Sequence, residues 1–435
     1  MKYSSAIKYL YGLQKFGMKF GLDNIRTLLA ALGNPHESFR SIHVAGTNGK
    51  GSTSAMIETI LRTSGAATGL FTSPHLVSFT ERIRINGQEI EENDVIELAD
   101  EVRSAAEKIK DLFPTFFEVV TAMAFIHFRK TKTDWAVIEA GMGGRLDATN
   151  IITPEVSVIT RIDFDHREFL GRTLKEIAAE KAGIIKDGVP VIVSGQAHEA
   201  MDVIESRAFE KKSPLYKSGR DFSSELLSDD PEETRFNYRG TGRHEGIKLS
   251  LSGEHQIFNA AIAARTIEEI SARYPRLVFD IKSGLENTRW PGRLEKIKDE
   301  PPILIDGAHN PSAAEILSRH LKKLLAFKYR RIIMVIGIMN DKDIDGILKP
   351  LLPLASEIIF TSPAYGRAAT PDMLAARAVS EGYSSRRASG VSDALNMAEG
   401  ICLPGDLILV TGSFYTIGEA KEAAGQKGIL ARLRE

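Results

Sequence analysis

A β-rich run, Ile42-His43-Val44-Ala45, passes directly into Gly46-Thr47-Asn48-Gly49-Lys50-Gly51-Ser52, and a helical period through Met56, Ile57, Ile60 and Leu61 follows at once. A strand that reaches a helix through a turn holding three glycines presents bare backbone to whatever lies beyond the sheet. Turn amides and the helix N-terminus suit phosphate, and Lys50 adds a mobile positive charge. The spacing departs from the general phosphate-loop pattern, because Val44 stands at the first glycine position and Gly51 separates Lys50 from Ser52. A plain strand-to-helix turn needs neither the lysine nor the serine, so the segment reads as a nucleotide-phosphate cradle.

Such a cradle belongs to an α/β sheet, and the rest of the chain alternates in that manner. Candidate strands span residues 41–45, 68–72, 135–140, 156–160 and 189–194. Residues 77–90 alternate and turn at Asn86-Gly87, which reads as a hairpin, and two helices follow over 92–130. The polar, turn-rich interval 218–246, with Ser228-Asp229-Asp230-Pro231, reads as an antiparallel β excursion or a loop at the domain edge. After Trp290-Pro291-Gly292-Arg293 the alternation restarts, with strands at 303–306, 331–338, 357–361 and 406–411 and helices from Pro311 and Pro371. The expectation is two α/β domains, residues 1–296 with a mainly parallel sheet of phosphate-loop ATPase type and a smaller Rossmann-like domain over 297–435.

Composition narrows the function classes. Lys and Arg total 56 against 57 Asp and Glu, so no overall basic field attracts nucleic acid or an anionic membrane, and any anion must be held locally. A single cysteine, Cys402, allows no internal disulfide, which fits a reducing, cytoplasmic setting. The N-terminal segment, amphipathic with Lys8, Lys15 and Lys19, lacks a signal-peptide core, and the most apolar stretches fall short of the ~20 residues of a membrane helix.

Several polar residues stand just beyond candidate strands, where α/β sheets place ligands. Glu139 ends the run Trp135-Ala136-Val137-Ile138, and Gly141, Gly143 and Gly144 keep the following backbone open. His166, in Asp163-Phe164-Asp165-His166, alone reads as a loop histidine. Lys181 lies in a helical segment whose apolar face is Ile177, Ala178, Ala182 and Ile185, and alone reads as a snorkelling surface lysine. Asp306 to Asn310 form a strand-to-helix turn that an N-capping Asp and a structural His would also explain, and Ser413 reads equally as a helix N-cap.

Taken in order, the phosphate turn, Thr72-Ser73-Pro74-His75-Leu76, Glu139-Ala140-Gly141-Met142-Gly143-Gly144-Arg145-Leu146-Asp147-Ala148-Thr149-Asn150, Asp165-His166 with Glu168-Phe169-Leu170-Gly171, Glu180-Lys181-Ala182-Gly183, His255-Gln256 with Asn259-Ala260-Ala261, Trp290-Pro291-Gly292-Arg293 and Asp306-Gly307-Ala308-His309-Asn310-Pro311 resemble the Mur ligase superfamily. The likeness is greater to its folylpolyglutamate synthase and dihydrofolate synthase branch, and it runs along nearly the whole chain. Arg161, Asp163 and Arg167 depart from it, since the family more often has small or uncharged residues there.

The resemblance implies an ATP-dependent carbon-nitrogen ligase: ATP phosphorylates a substrate carboxylate, and L-glutamate attacks the acyl phosphate. It implies Thr47, Asn48, Gly49, Lys50, Gly51, Ser52, Asn259, Arg293 and Asp306 around ATP, with Lys50, Asp306 and His309 as catalytic residues. Ser73, Glu139 and His166 would hold Mg²⁺, and Lys181, if carboxylated by CO₂, a second one. His309 and Ser413 would serve glutamate, together with Gly337 and Asp341-Lys342-Asp343, and a monovalent cation is also allowed. Residues 73–84 and 116–121 would line the pterin side, though Phe117, Val120 and Ala124 have helix-core spacing. The substrates implied are small molecules, dihydropteroate or a reduced folate plus L-glutamate, handled by a cytoplasmic monomer with no nucleic acid or membrane partner. Two rivals remain: another Mur-type amino-acid ligase, against which stands the short stretch before the phosphate turn, and a non-catalytic ATP-binding homologue.

Overall fold

A computed structural model describes residues 2–16, 21–230 and 233–425. Eight strands form the first sheet in the order β4-β3-β2-β5-β1-β6-β7-β8, where β1 is Arg40–Ala45, β2 Thr68–Phe71, β3 Ile83–Ile85, β4 Gln88–Glu89, β5 Trp135–Glu139, β6 Val156–Ile159, β7 Val191–Val193 and β8 Leu215–Lys217. All pairings except those of β3 are parallel. A parallel sheet is covered on both faces, so its central strands are buried and mainly apolar. Alternate residues of β5 show the division: Ala136 and Ile138 pack with the helices Tyr3–Gly12, Glu92–Glu107 and Phe116–Lys130, whereas Val137 packs with Lys50–Thr63 and His255–Arg273.

Residues 77–82 do not extend the hairpin as a strand. The Glu81 carboxylate accepts the amides of Leu76, Val77 and Ser78 at 2.7–2.8 Å and wraps them into a capped 3₁₀ turn, Phe79–Arg82. Local side-chain acceptors here outcompete a ladder. The hairpin itself is β3–β4, turning at Asn86 and Gly87 with φ of 50° and 79°, the positive values a two-residue turn of this hand requires.

The polar interval forms a three-stranded antiparallel sheet of β9 (Ser223–Asp229), β10 (Thr234–Arg239) and β11 (Arg243–Leu249); Pro231 lies outside the described residues. Phe236 and Tyr238 bury against the helix His255–Arg273, and the Tyr238 hydroxyl donates to Glu268 at 2.8 Å.

The second α/β sheet runs β12-β13-β17-β14-β15-β16, with β12 at Glu295–Lys298, β13 at Ile303–Ile305, β14 at Arg331–Ile336, β15 at Glu357–Phe360, β16 at Arg386–Arg387 and β17 at Asp406–Thr411. Only β12 is antiparallel. Helices Pro311–Phe327, Ile344–Leu351 and Pro371–Ser380 cover one face, and Val391–Ile401 and Phe414–Ala423 the other. The short edge strands β8 and β16 have no alternation to betray them. Among the described residues no helix is long and apolar enough to cross a membrane.

Candidate active site

The carboxyl ends of both sheets open onto a shared cavity of about 810 Å³. The turns after β1, β2, β5 and β6 line it from one side and those after β13, β14 and β17 from the other, which is where parallel strands deliver ligand-binding side chains. Every residue singled out above as a candidate contact for nucleotide, metal or glutamate lines this space, apart from Gly337 and Asp343.

The phosphate turn is held from three directions. Gly49 caps the helix Lys50–Thr63 at φ 89°, and a Cβ there would run into Asn259 Oδ1. A Cβ on Gly51 would come within 2.8 Å of Trp290 Nε1. The amides of Thr47 and Asn48 donate to Arg161 O at 2.8 and 3.1 Å, so they are occupied by the neighbouring strand end. The opening amides of the helix, at Lys50, Gly51 and Ser52, are the orphan donors that any helix start leaves for an anion.

Two lysines converge on the turn. Lys50 Nζ donates to Gly46 O at 3.2 Å and Thr47 O at 3.3 Å, while Lys181 Nζ donates to the same Gly46 O at 2.8 Å. Their nitrogens are thus no farther apart than the sum of the two distances to Gly46 O. Lys181 is 4% exposed, a core residue and not a snorkelling one. Burial first, and then the Lys50 charge, bring its pKa down to about 7.

Glu139 faces the Lys50 charge from the end of β5. Its Oε2 accepts Ser73 N at 3.2 Å, and burial pushes its pKa up to about 7 against the opposing charge of Lys50 and the Ser73 amide. His166 sits at φ 49°, a left-handed position, and burial brings its imidazole down to about 4 although the Asp165 charge opposes this. It is therefore neutral near pH 7 and able to donate a lone pair.

From the second sheet, Asp306 accepts the amides of Leu294 at 3.0 Å and Ala308 at 2.9 Å, and burial raises its pKa against the Arg293 charge. Arg293 lies over the Phe414 ring at 4.8 Å. His309 has Nδ1 2.8 Å from Gly307 O and Nε2 3.5 Å from Asp165 Oδ2, so both ring nitrogens face oxygen acceptors. Asn259 donates to Gln256 Oε1 at 2.9 Å as it touches Gly49. The Ser413 hydroxyl accepts Thr416 N at 3.1 Å and caps the helix Phe414–Ala423. That N-cap was the plainer of its two sequence readings, and the hydroxyl is engaged in it.

Two residues of the cavity, Asp165 and Arg82, and the buried Asn310 behind its wall have no individual signature in the sequence. Asp165 receives Lys342 Nζ at 2.6 Å; burial would raise its pKa, but the hydrogen bond from His309 and the nearby charges of His166, His309 and Lys342 hold it well below the usual carboxylate range. Asn310 caps the helix Pro311–Phe327 and reaches Asn48. Arg82, 7% exposed, spends Nε on His75 Nδ1 at 2.6 Å and lies over Phe116, with no carboxylate partner among the described residues. Arg265, equally buried, is paired with Glu268 and Glu269. A buried guanidinium without such a partner is costly unless an anion joins it. In the sequence Arg82 was one alternating residue of an apparent hairpin.

The chain matches the Mur ligase middle domain over residues 44–267 and the Mur ligase glutamate ligase domain over residues 292–414. It is 36% identical to a dihydrofolate synthase/folylpolyglutamate synthase of Bacillus subtilis, over 97% of this chain and 98% of that one. To the enzyme of that name from Escherichia coli it is 33% identical, over 96% and 94%. Among solved structures, Mycobacterium tuberculosis folylpolyglutamate synthase complexed with ADP and AMPPCP is similar at a TM-score of 0.90 and 31% identity, covering 98% of this chain and 100% of that one. Escherichia coli FolC in complex with DHPP and ADP gives 0.86 and 32%, covering 97% of each.

Proposed function

This chain belongs to the Mur ligases, in their folylpolyglutamate and dihydrofolate synthase branch, and from that premise we propose that it joins L-glutamate to dihydropteroate, to reduced folates, or to both, at the expense of ATP. The observation that carries the reading is the shared cavity, into which one sheet brings the phosphate turn and Glu139 and the other brings Arg293, Asp306 and His309. An acyl phosphate hydrolyses if water reaches it, so its chemistry belongs between two closing walls.

In this reading the phosphates of ATP rest on the opening amides of the helix Lys50–Thr63. Lys50 neutralises the phosphoryl oxygens as the γ-phosphoryl group passes to the substrate carboxylate, leaving ADP. The amino group of L-glutamate, having lost a proton, attacks the acyl carbon, phosphate departs, and an amide remains. Arg293 offers a planar fork to phosphate oxygens, and Asp306 holds the turn that presents His309. Arg82, whose guanidinium feels Glu81 and Glu139 but makes no ion pair among the described residues, suits a substrate carboxylate.

The donors at the β5 end fit Mg²⁺, though no three His, Cys, Asp or Glu side chains gather as a metal cluster among the described residues. Magnesium in phosphoryl-transfer sites takes one or two carboxylates and completes its shell with phosphate and water. Glu139 would supply the carboxylate, with Ser73 against it, and His166 lines the same cavity from beyond β6. When bound, the ion would neutralise charge on the phosphates. The neutral amine of Lys181 is the form that takes up CO₂, losing a proton to become a carbamate, and that anionic group would serve as a ligand for a second ion. The reading extends to a cytoplasmic monomer, with a monovalent cation as a further occupant.

The test is ADP formation with Mg-ATP and L-glutamate in the presence of dihydropteroate, tetrahydrofolate, or neither. Acceptor-dependent ADP is expected with at least one; no acceptor-dependent ADP with either would refute the assignment. A second expectation concerns Glu139. Its raised pKa gives the ligand-free protein stability below about 4.5 that is lost as pH rises through about 7. Glu139→Gln should therefore abolish turnover yet stabilise the ligand-free protein at pH 8, by about 3 kcal/mol at 1.36 kcal/mol per pKa unit. The gain should fade toward pH 4.5. Thermal melts at pH 5 and pH 8 read this directly, and equal melting of variant and wild type at pH 8 would count against a strained Glu139.

A further inference from the structure

We propose that Asp165 is a positioning residue that fastens the second α/β unit across the cavity and sets the orientation of His309, so that the acyl phosphate is committed to amide formation. The proposal rests on the ligase reading above and assigns to Asp165 a role that reading does not use.

Asp165 follows β6 in the first unit, 9% exposed, and its carboxylate reaches two successive strand-end turns of the second. Oδ1 accepts Lys342 Nζ at 2.6 Å from beyond β14, and also the neighbouring His166 amide at 2.8 Å. Oδ2 lies 3.5 Å from His309 Nε2 and 3.5 Å from Asn310 Nδ2, both beyond β13. Gly307 O takes the other nitrogen of His309 at 2.8 Å, so two acceptors on opposite sides of the ring define its plane.

Asn310 carries the linkage to the phosphate turn. It is 2% exposed; its Nδ2 donates to Asn48 Oδ1 at 2.9 Å, and its Oδ1 accepts Ala313 N at 2.9 Å and Asn48 Nδ2 at 3.4 Å. Its carboxamide therefore has partners for both its nitrogen and its oxygen, and they tie together the nucleotide turn, the carboxylate of the first unit and the helix start of the second. Lys342, with a side chain 10% exposed, has Asp165 as its carboxylate partner. Removing that carboxylate leaves an enclosed ammonium without a counter-charge, a state proteins relieve by letting water in or by moving the group out. Either response parts the two walls of the cavity. The asparagine isostere keeps an acceptor for the His166 amide and loses the charge that holds Lys342.

The experiment measures ADP and amide product together in full-length protein, with Mg-ATP, L-glutamate and whichever acceptor the wild type uses. Asp165→Asn should lower amide turnover 10- to 100-fold, leave ADP affinity within about 2-fold, and raise the ratio of ADP to amide clearly above one as acyl phosphate is lost to water. Lys342→Met, which leaves the His166 side of the site intact, should reproduce the raised ratio, and the double variant should be no worse than Asp165→Asn alone. The proposal is overturned if Asp165→Asn keeps a ratio of one at near-normal rate, if it loses ADP binding or the fold, or if Lys342→Met is silent and the two changes add. A wild type that forms no amide with any acceptor would instead overturn the ligase reading.

Discussion

Lys50→Ala should lower the rate of ADP formation on the order of 10³-fold while the protein stays folded. The fold should survive because Lys50 donates only to the carbonyls of Gly46 and Thr47, and Gly46 O keeps Lys181 as a partner. The direct loss is the positive charge beside the transferring phosphoryl group. An indirect loss adds to it. Lys50 is the leading charge that restrains the rise of Glu139 and one that depresses Lys181. Without it Glu139 moves above about 7 and Lys181 moves back toward an ordinary lysine, so at neutral pH the carboxylate becomes a carboxylic acid and the amine an ammonium. Both changes remove the forms the site needs. The residual activity should therefore show its acid limb at higher pH than the wild type. Steady-state rates from pH 6 to 9, with circular dichroism melts of both proteins, make the comparison; a variant within tenfold of wild type at pH 8 would exclude Lys50 from phosphoryl transfer.

The parts of the molecule that could be read in advance are those set by local pattern. Strands β1, β5, β6 and β14 are buried along nearly their whole length and so are written as mainly apolar, β-branched runs broken by few polar residues, and the phosphate turn combines strand, glycines and helix within about twenty residues. The false strand at residues 77–82 shows the limit: alternation was present, but the Glu81 carboxylate gathered three consecutive amides and the backbone followed it. Lys181 shows another. Its helical face reads as surface until the Gly46 turn, 135 residues earlier, is folded over it. Asp165 and Lys342 are separated by 177 residues and meet only because two independent sheets aim their strand ends at one space. Arg82 falls within the 73–84 segment expected on the pterin side, but its burial without an ion-pair partner is a property of the packed site and is invisible in the order of residues.

Lys181→Met should abolish turnover and make the ligand-free protein more stable at pH 7. In the folded chain the amine titrates near 7, against an ordinary value of 10.5. Between those two values the unfolded chain binds a proton that the folded chain refuses, so stability falls as pH drops from about 10.5 to about 7 and stays low below that. At 1.36 kcal/mol per unit the cost at pH 7 is on the order of 5 kcal/mol, and methionine, similar in length and uncharged, removes it. Losing the 2.8 Å bond to Gly46 O offsets part of the gain, about 1 kcal/mol. The variant's advantage should shrink steadily as melts are repeated from pH 7 to pH 10. The opposite slope belongs to Glu139, whose cost grows as pH rises from about 4.5 to about 7, so near neutrality both groups work against folding in the empty site. Carbamate formation would remove the amine from this titration, and added bicarbonate should then raise the melting temperature of the wild type and leave Lys181→Met unchanged. If wild type and variant respond alike to bicarbonate, Lys181 is a buried amine that remains unmodified, and the second metal site proposed on it falls.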